Sequence, residues 1–282
     1  MQMNCAWSEY LKVLPLWMRD QVDKYGGENL QELRLRINKP PVLVMNNLTM
    51  EFDRVVTEDD IRYLVNIASK YSPWSANSIT RGYITIAGGH RIGVCGEAIV
   101  RNGVVEGIRK INALCIRVAR DFPGISSAIQ TEGESILIVG TPGVGKTTFL
   151  RDLIRNYSLY GSKSVGVVDE RGEIFPMNNG SCCFDTGPKT DVLSWTNKQS
   201  GIEMLLRSMN PGVIAVDEIS SAEDCATLLR AGWSGVYLFA TAHAAGKEDL
   251  YRRSTYKPLM KTMLFDKIIT IFSDKSWKIE RL

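Results

Sequence analysis

Two different rhythms of apolar and polar residues divide the 282-residue chain. In the first part apolar and charged positions alternate. "QELRLRI" is followed by the turn "NKPP" and then "VLVM", which predicts a β-hairpin with one face toward a core. Ahead of it, "SEYLKVLPLWMRDQVDKYGG" has helical spacing, interrupted or started by Pro15 and stopped by Gly26 and Gly27. Thr57 followed by Asp60 is an N-cap pattern leading into the helical "DIRYLVNIAS". Two further hairpin-like stretches, "GYITIAGGHRIGVCGEAIV" and "VVEGIRKINALCIRVAR", place Gly88, Gly89 and Gly103 at turns. These elements predict a small α+β domain over 1–125.

Beyond a polar segment, "ISSAIQTEG", the pattern changes. The short continuous runs "SILIVG", "SVGVVDE", "GVIAVDE" and "GVYLFAT" alternate with helical stretches such as "KTTFLRDLIRNYS" and "SAEDCATLLRAG". Strands that are apolar on both faces belong to parallel sheets covered by helices on both sides, because parallel neighbours need crossover connections. The prediction is a three-layer α/β domain over 126–282, with the boundary near residue 126.

Composition changes this picture little. Apolar residues make up 44% and charged residues 23%, an ordinary globular balance. No run approaches the roughly 20 apolar residues of a membrane helix, and the N-terminus lacks the basic and apolar regions of a secretory signal. A cytoplasmic setting is the expectation. Cys5, Cys95, Cys115, Cys182, Cys183 and Cys225 form no C-x-x-C pair, so reduced thiols are expected rather than zinc or disulfides. The net charge of +3 comes from residues 1–125, with 16 basic and 13 acidic side chains, which is too slight to argue for nucleic acid.

The chemistry begins at "GTPGVGKT". It spans Gly140, Thr141, Pro142, Gly143, Val144, Gly145, Lys146 and Thr147, with Thr148 next, and matches G-x-x-x-x-G-K-[ST] between a strand and a helix. Glycines there let backbone N–H groups curl around a phosphate at a helix N-terminus. Lys146 is expected on the β- and γ-phosphates of ATP, and the Thr147 hydroxyl on Mg²⁺. "GVIAVDEI" ends an apolar strand in two acids. Asp217 is expected in the Mg²⁺ shell and Glu218 as the group that polarises the attacking water, the competing reading being an acidic cap for the next helix. "VVDERGEI" gathers Asp169, Glu170 and Glu173 where ligands bind in open α/β sheets. Of these, Glu170 is expected at the metal and Glu173 in catalysis, against the alternative of a solvated acidic turn. His243, in "LFATAHAAG", ends the strand after that.

Those strands, in this chain order, resemble the P-loop ATPases that insert a strand between the Walker A and Walker B strands, which implies a RecA-like, parallel-rich sheet. Thr241-Ala242-His243 is similar to the histidine box of the secretion and pilus motor ATPases, "LRSMNPGVIAVDEI" resembles the stretch before their catalytic glutamate, and "VVDERGEI" occupies the place of their acidic box. Asp217 stands where those motors usually carry glycine. Over nearly its whole length the chain resembles the stage III sporulation protein AA family, through "GYITIAGGHRIGVCGEA", "INALCIRVAR", "GTPGVGKTT", "VVDERGEI" and "NPGVIAVDEI".

The resemblance implies a cytoplasmic, mother-cell ATPase of an endospore-forming bacterium, peripherally associated with integral membrane proteins of a secretion complex. It also implies a homo-oligomer, a hexameric ring with nucleotide at each interface, and a sensing role for His243 at the γ-phosphate or the attacking water. Arginines ahead of the phosphate loop would then act across the interface. Arg91 and Arg117 match best by position, with Arg81, Arg109 and Arg120 as substitutes, while His90 is expected to be structural. Two rival readings stay open. One is an ATPase acting on single-stranded nucleic acid through the basic tail with Tyr251, Tyr256 and Trp277. The other is a nucleotide-gated scaffold with little turnover.

Overall fold

A computed structural model describes residues 3–45, 48–69, 82–131 and 133–282. Two compact units emerge. The described part of the first comprises Met3–Asp121 with Met177–Phe184, and that of the second comprises Phe122–Pro176 with Asp185–Leu282. The chain thus leaves the first unit just ahead of the expected position near 126, and it returns once.

In the first unit the expected leading helix is broken by Pro15, which caps the start of a second one. The elements are α1 (Trp7–Lys12), α2 (Leu16–Asp23) and a single turn α3 (Gly26–Asn29). Then come β1 (Leu30–Arg36), β2 (Val42–Met45), β3 (Leu48–Glu51), α4 (Glu58–Ser69), β4 (Tyr83–Thr85), β5 (Arg91–Arg101) and β6 (Val104–Arg117). They form an antiparallel six-stranded sheet in the order β3-β2-β1-β6-β5-β4. The sheet buries Leu33 and Leu35, Ile92 and Val94, and Leu114 and Ile116, against Tyr10, Met18 and Leu64 from the helices. The Thr57 cap is present: Asp60 N–H donates to Thr57 Oγ1 (3.2 Å) and Thr57 N–H donates to Asp60 Oδ2 (2.9 Å).

The second unit carries β7 (Ile136–Gly140), α5 (Lys146–Tyr160) and β8 (Val165–Asp169). The two-stranded excursion β9 (Met177–Asn178) and β10 (Ser181–Cys182) belongs to the first unit. After it follow β11 (Thr190–Ser194), α6 (Lys198–Ser208), β12 (Val213–Ile219), α7 (Ala222–Trp233), β13 (Tyr237–His243), α8 (Lys247–Arg252), α9 (Lys257–Lys261), β14 (Lys267–Ile271) and β15 (Trp277–Arg281). The sheet order is β11-β8-β12-β13-β7-β14-β15, parallel throughout except for the β14–β15 hairpin. Every residue of β7 and β8 is buried, as continuous apolar runs require. β11 was not legible in the sequence: it is a half-buried edge with polar residues. The order sets β13 between β7 and β12, so the tip of β13 emerges between the phosphate loop and the two acids of β12.

The six cysteines are all unpaired thiols. Among the described residues no helix is long and apolar enough to cross a membrane.

His90 is fully buried in the first unit, edge-on to Tyr10. Its Nδ1 accepts the Ala119 N–H at 3.0 Å, so the proton sits on Nε2, which donates to the Ala6 carbonyl at 2.9 Å. The Ala119 N–H requires an unprotonated Nδ1, and burial, outweighing the Ala6 carbonyl, holds His90 below the ordinary histidine range. An unfolded histidine protonates near about pH 6.5, whereas the folded one resists. Its stabilising contribution is therefore full above that pH and lost as pH falls toward the lowered folded value. In urea unfolding between pH 7.5 and 5.5 the wild-type chain should lose stability more steeply than His90→Gln. Equal slopes would show that the ring does not titrate on unfolding.

Candidate active site

Gly140 closes β7 in a place where no side chain fits. A Cβ there would lie 2.6 Å from Val144 Cγ2 and 2.8 Å from the Ile271 carbonyl oxygen. Gly143 (φ +78) and Gly145 (φ +104) adopt left-handed conformations that L-residues enter only at a cost, and α5 starts immediately after the second. The loop therefore ends on the N-terminus of a fifteen-residue helix, where unpaired N–H groups and the helix dipole favour an anion.

Lys146 is the first residue of that helix and is 7% exposed. Its ammonium donates to the carbonyls of Gly140 (2.9 Å) and Thr141 (3.0 Å) and to Nδ1 of His243 (3.0 Å). All three protons are thus engaged, and His243 Nδ1 acts as an acceptor. Burial pulls the Lys146 pKa below the usual lysine range, against the opposing pull of Asp217 and Glu218. On the other side of the ring, His243 Nε2 lies 3.5 Å from Glu218 Oε1. The placement follows from strand order, with His243 opposite Gly140 in the β13–β7 register.

The two acids of β12 reach the same site through a bulge. Consecutive residues of a regular strand point to opposite faces. Here the pairing with β13 slips between Val216 and Ile219, and Glu218 takes φ +55. Asp217 Oδ2 accepts the Thr147 hydroxyl at 2.6 Å, and Asp217 Oδ1 accepts the hydroxyl of Thr241, which in turn accepts the Glu218 N–H at 2.8 Å. Thr241 is wholly buried and ties both acids to β13. The reading of these acids as a helix cap does not hold, since α7 is capped by Ser221 and Asp224 in a reciprocal capping box.

The acidic turn after β8 is organised differently from expectation. Asp169, not its neighbours, is the buried acid, accepting the backbone N–H groups of Glu173 (2.8 Å) and Phe175 (2.9 Å). Burial raises its pKa in spite of those bonds, and the charge of Asp217 adds to the rise. Arg151 of α5 clamps the same turn from below, donating to the carbonyls of Ile174 and Glu173. Glu170 pairs with Lys198 of α6 at 2.7 Å. Glu173 contributes its backbone to the turn. Arg171, which the sequence reading passed over, reaches Glu218 Oε2 at 2.5 Å. The signal that could have found it is a lone cation set inside three acids.

Arg91 and Arg117 belong to the first unit, opposite each other on β5 and β6. Arg91 lies over the Tyr83 ring, 4.6 Å from its centroid, and Arg117 pairs with Glu32 at 3.0 Å. Arg109 pairs with Glu97. Arg120 is taken up by the carbonyls of Gly27, Glu28 and Leu30, a structural role. Arg81 lies outside the described residues.

The site's oxygen donors suit magnesium. A hydroxyl and a carboxylate 2.6 Å apart beside a phosphate loop are what Mg²⁺ uses when phosphate and water complete its octahedron. Among the described residues no cluster of three or more His, Cys, Asp or Glu side chains forms a protein-only metal cage.

Comparison with known proteins bears on the fold and the family. Among solved structures, the chain matches the ATPase DotB of Legionella pneumophila with a TM-score of 0.57 at 17% identity, over 95% of this chain and 80% of that one. It matches the pilus retraction motor PilT, solved with bound ADP, with a TM-score of 0.63 at 17% identity, over 91% and 77%. At that identity the likeness speaks for the fold, a RecA-like parallel-rich sheet preceded in the chain by an α+β unit. Stage III sporulation protein AA of Bacillus subtilis is 35% identical over 278 residues, covering 94% of this chain and 90% of its own length. The family model for sporulation stage III, protein AA matches residues 9–278, so the chain belongs to that family.

Proposed function

We propose that this protein is a Mg²⁺-dependent ATPase of the secretion-motor kind, which energises assembly of, or transport through, a membrane-spanning complex during endospore formation. The observation that carries the reading is one connected network at one sheet edge. Lys146 bridges the phosphate loop and His243, His243 faces Glu218, and Thr241 ties Glu218 to Asp217 and so to Thr147.

Each residue then has a chemical task. Lys146 exchanges its two carbonyl partners for the β- and γ-phosphate oxygens of ATP. Thr147 and Asp217 hold Mg²⁺, which neutralises charge on those oxygens. The Glu218 carboxylate orients and polarises the attacking water. His243 donates from Nε2 to that water or to the γ-phosphate while its Nδ1 stays on Lys146, so phosphate state is passed to the tip of β13. Glu173, on the turn after β8 that Arg151 and Asp169 brace, is assigned to catalysis beside Glu218. Glu170 reaches the metal only by leaving Lys198.

Membership of the sporulation stage III, protein AA family supports a wider setting for this activity. We assign the chain to a homo-oligomeric ring, a hexamer, in the mother-cell cytoplasm, peripherally attached to an integral membrane protein of the sporulation secretion complex. Arg91 and Arg117 of one subunit would serve the nucleotide of the next. Domain 1–125 is the oligomerisation and regulatory part, and 126–282 the motor part.

Nucleic acid is a poorer partner. Of the tail aromatics, Tyr256 is buried with its hydroxyl on the Ile219 carbonyl at 3.0 Å, and Trp277 packs edge-on to Phe149.

Nucleotide binding and phosphate release measured on purified variants test the reading. Lys146→Ala should lose ATP binding, whereas Glu218→Gln should bind ATP normally and turn over about 10²-fold more slowly or worse. Hydrolysis by Glu218→Gln at the wild-type rate would sink the assigned role, and slow turnover by wild-type protein and variant alike in the assembled oligomer would favour a scaffold. For His243→Ala, ATP affinity should stay within about threefold while turnover falls about tenfold, which corresponds to about 1.4 kcal/mol of barrier. A collapse in the unfolding midpoint with normal residual turnover would instead make the ring structural.

A further inference from the structure

The last hairpin of the sheet delivers a second lysine to the phosphate loop. β14 runs parallel beside β7, with Thr270 opposite Val139, so the turn that follows β14 leaves the same sheet edge as the loop that follows β7. In that turn Lys275 Nζ donates to the Gly143 carbonyl at 2.9 Å. The arrangement repeats what Lys146 does on Gly140 and Thr141: an ammonium rests on carbonyls of the loop.

The turn that carries this exposed side chain has a fixed backbone. Phe272 N–H donates to the Ser276 carbonyl (2.9 Å) and Lys275 N–H to the Phe272 carbonyl (3.0 Å), closing a three-residue hairpin loop. Asp274 Oδ1 accepts the Ser276 N–H at 3.0 Å and the Ser276 hydroxyl at 2.6 Å. Trp277, next along, packs on Phe149 of the phosphate helix. Lys275 itself sits at φ +69, in the left-handed position where such loops favour glycine and where asparagine is also tolerated. A lysine kept in a conformation it adopts at a cost, and aimed at the phosphate loop, calls for a function.

We infer that Lys275 is a second phosphate-binding cation of the nucleotide site, one that exchanges the Gly143 carbonyl for an oxygen of the bound polyphosphate. The inference rests on the phosphate-loop reading and adds to it. Opposite charge brought to a highly anionic ligand is worth far more than an ammonium–carbonyl bond, so the exchange is favoured once nucleotide arrives. Binding would thereby fasten the β14–β15 hairpin to the loop.

Titration calorimetry of the full chain with ADP and, separately, with pyrophosphate tests this. Lys275→Gln keeps a donor for the Gly143 carbonyl without charge, and Lys275→Arg keeps the charge. The expected result is a five- to tenfold weaker affinity for both ligands in Lys275→Gln and a change within twofold in Lys275→Arg. If Lys275→Gln fails to fold, Lys275→Asn, which suits the left-handed turn, replaces it with the same expectation. Wild-type affinity in the uncharged variant overturns the proposal, as does equal loss in Lys275→Arg. A loss for ADP but not for pyrophosphate also overturns it, since the contact would then be to the nucleoside. Lys146→Ala separates the two layers. If it loses ADP while Lys275→Gln does not, only the present inference fails; if it keeps full ADP affinity, the phosphate-loop reading falls and this inference with it.

Discussion

A single ammonium group, that of Lys146, sets the terms for the second unit. A buried cation must find an acceptor for each of its protons or lose its charge. Its three acceptors come from two different strands: two carbonyls from the end of β7 and one imidazole nitrogen from the tip of β13. That demand requires β7 and β13 to be neighbours, and it requires Gly140 to bring the loop backbone close. The same contact fixes which histidine nitrogen is an acceptor, leaving the other aimed toward Glu218. Loop, histidine and acid are therefore one arrangement.

The second organising feature is the bulge in β12. A regular strand would send Asp217 and Glu218 to opposite faces of the sheet. With the register slipped and Glu218 in the left-handed region, both serve one site, and the Thr241 hydroxyl links them by donating to one and accepting from the backbone of the other. A left-handed glutamate carries a conformational cost of about 1–3 kcal/mol, which the buried hydroxyl and the Arg171 ion pair help to hold. Strain of this sort, kept beside a phosphate loop, belongs to function more than to stability.

Much of this was readable in the chain. Continuous apolar runs alternating with helices dictate a covered parallel sheet, and "GTPGVGKT" dictates a tight strand-to-helix loop, because glycine adopts positive φ at the least cost and, at Gly140, alone allows the close approach. The acids at the end of "GVIAVDE" and the histidine of "TAH" could be placed at strand tips by periodicity. The order of the acidic turn could not. Asp169, Glu170 and Glu173 are equivalent as sequence, and only packing decides that the first is buried under backbone N–H groups while the second is drawn to Lys198 of another helix.

The sequence by itself determined the elements, the phosphate loop and the identity of the chemically able side chains, because these depend on local periodicity and on what each residue type can do. Tertiary structure alone decided which of them meet. Arg171 finds Glu218, Thr241 links two acids, and Lys275 comes back to Gly143 across 132 positions of chain, since strand order, one bulge and one hairpin turn bring together groups that no local pattern connects.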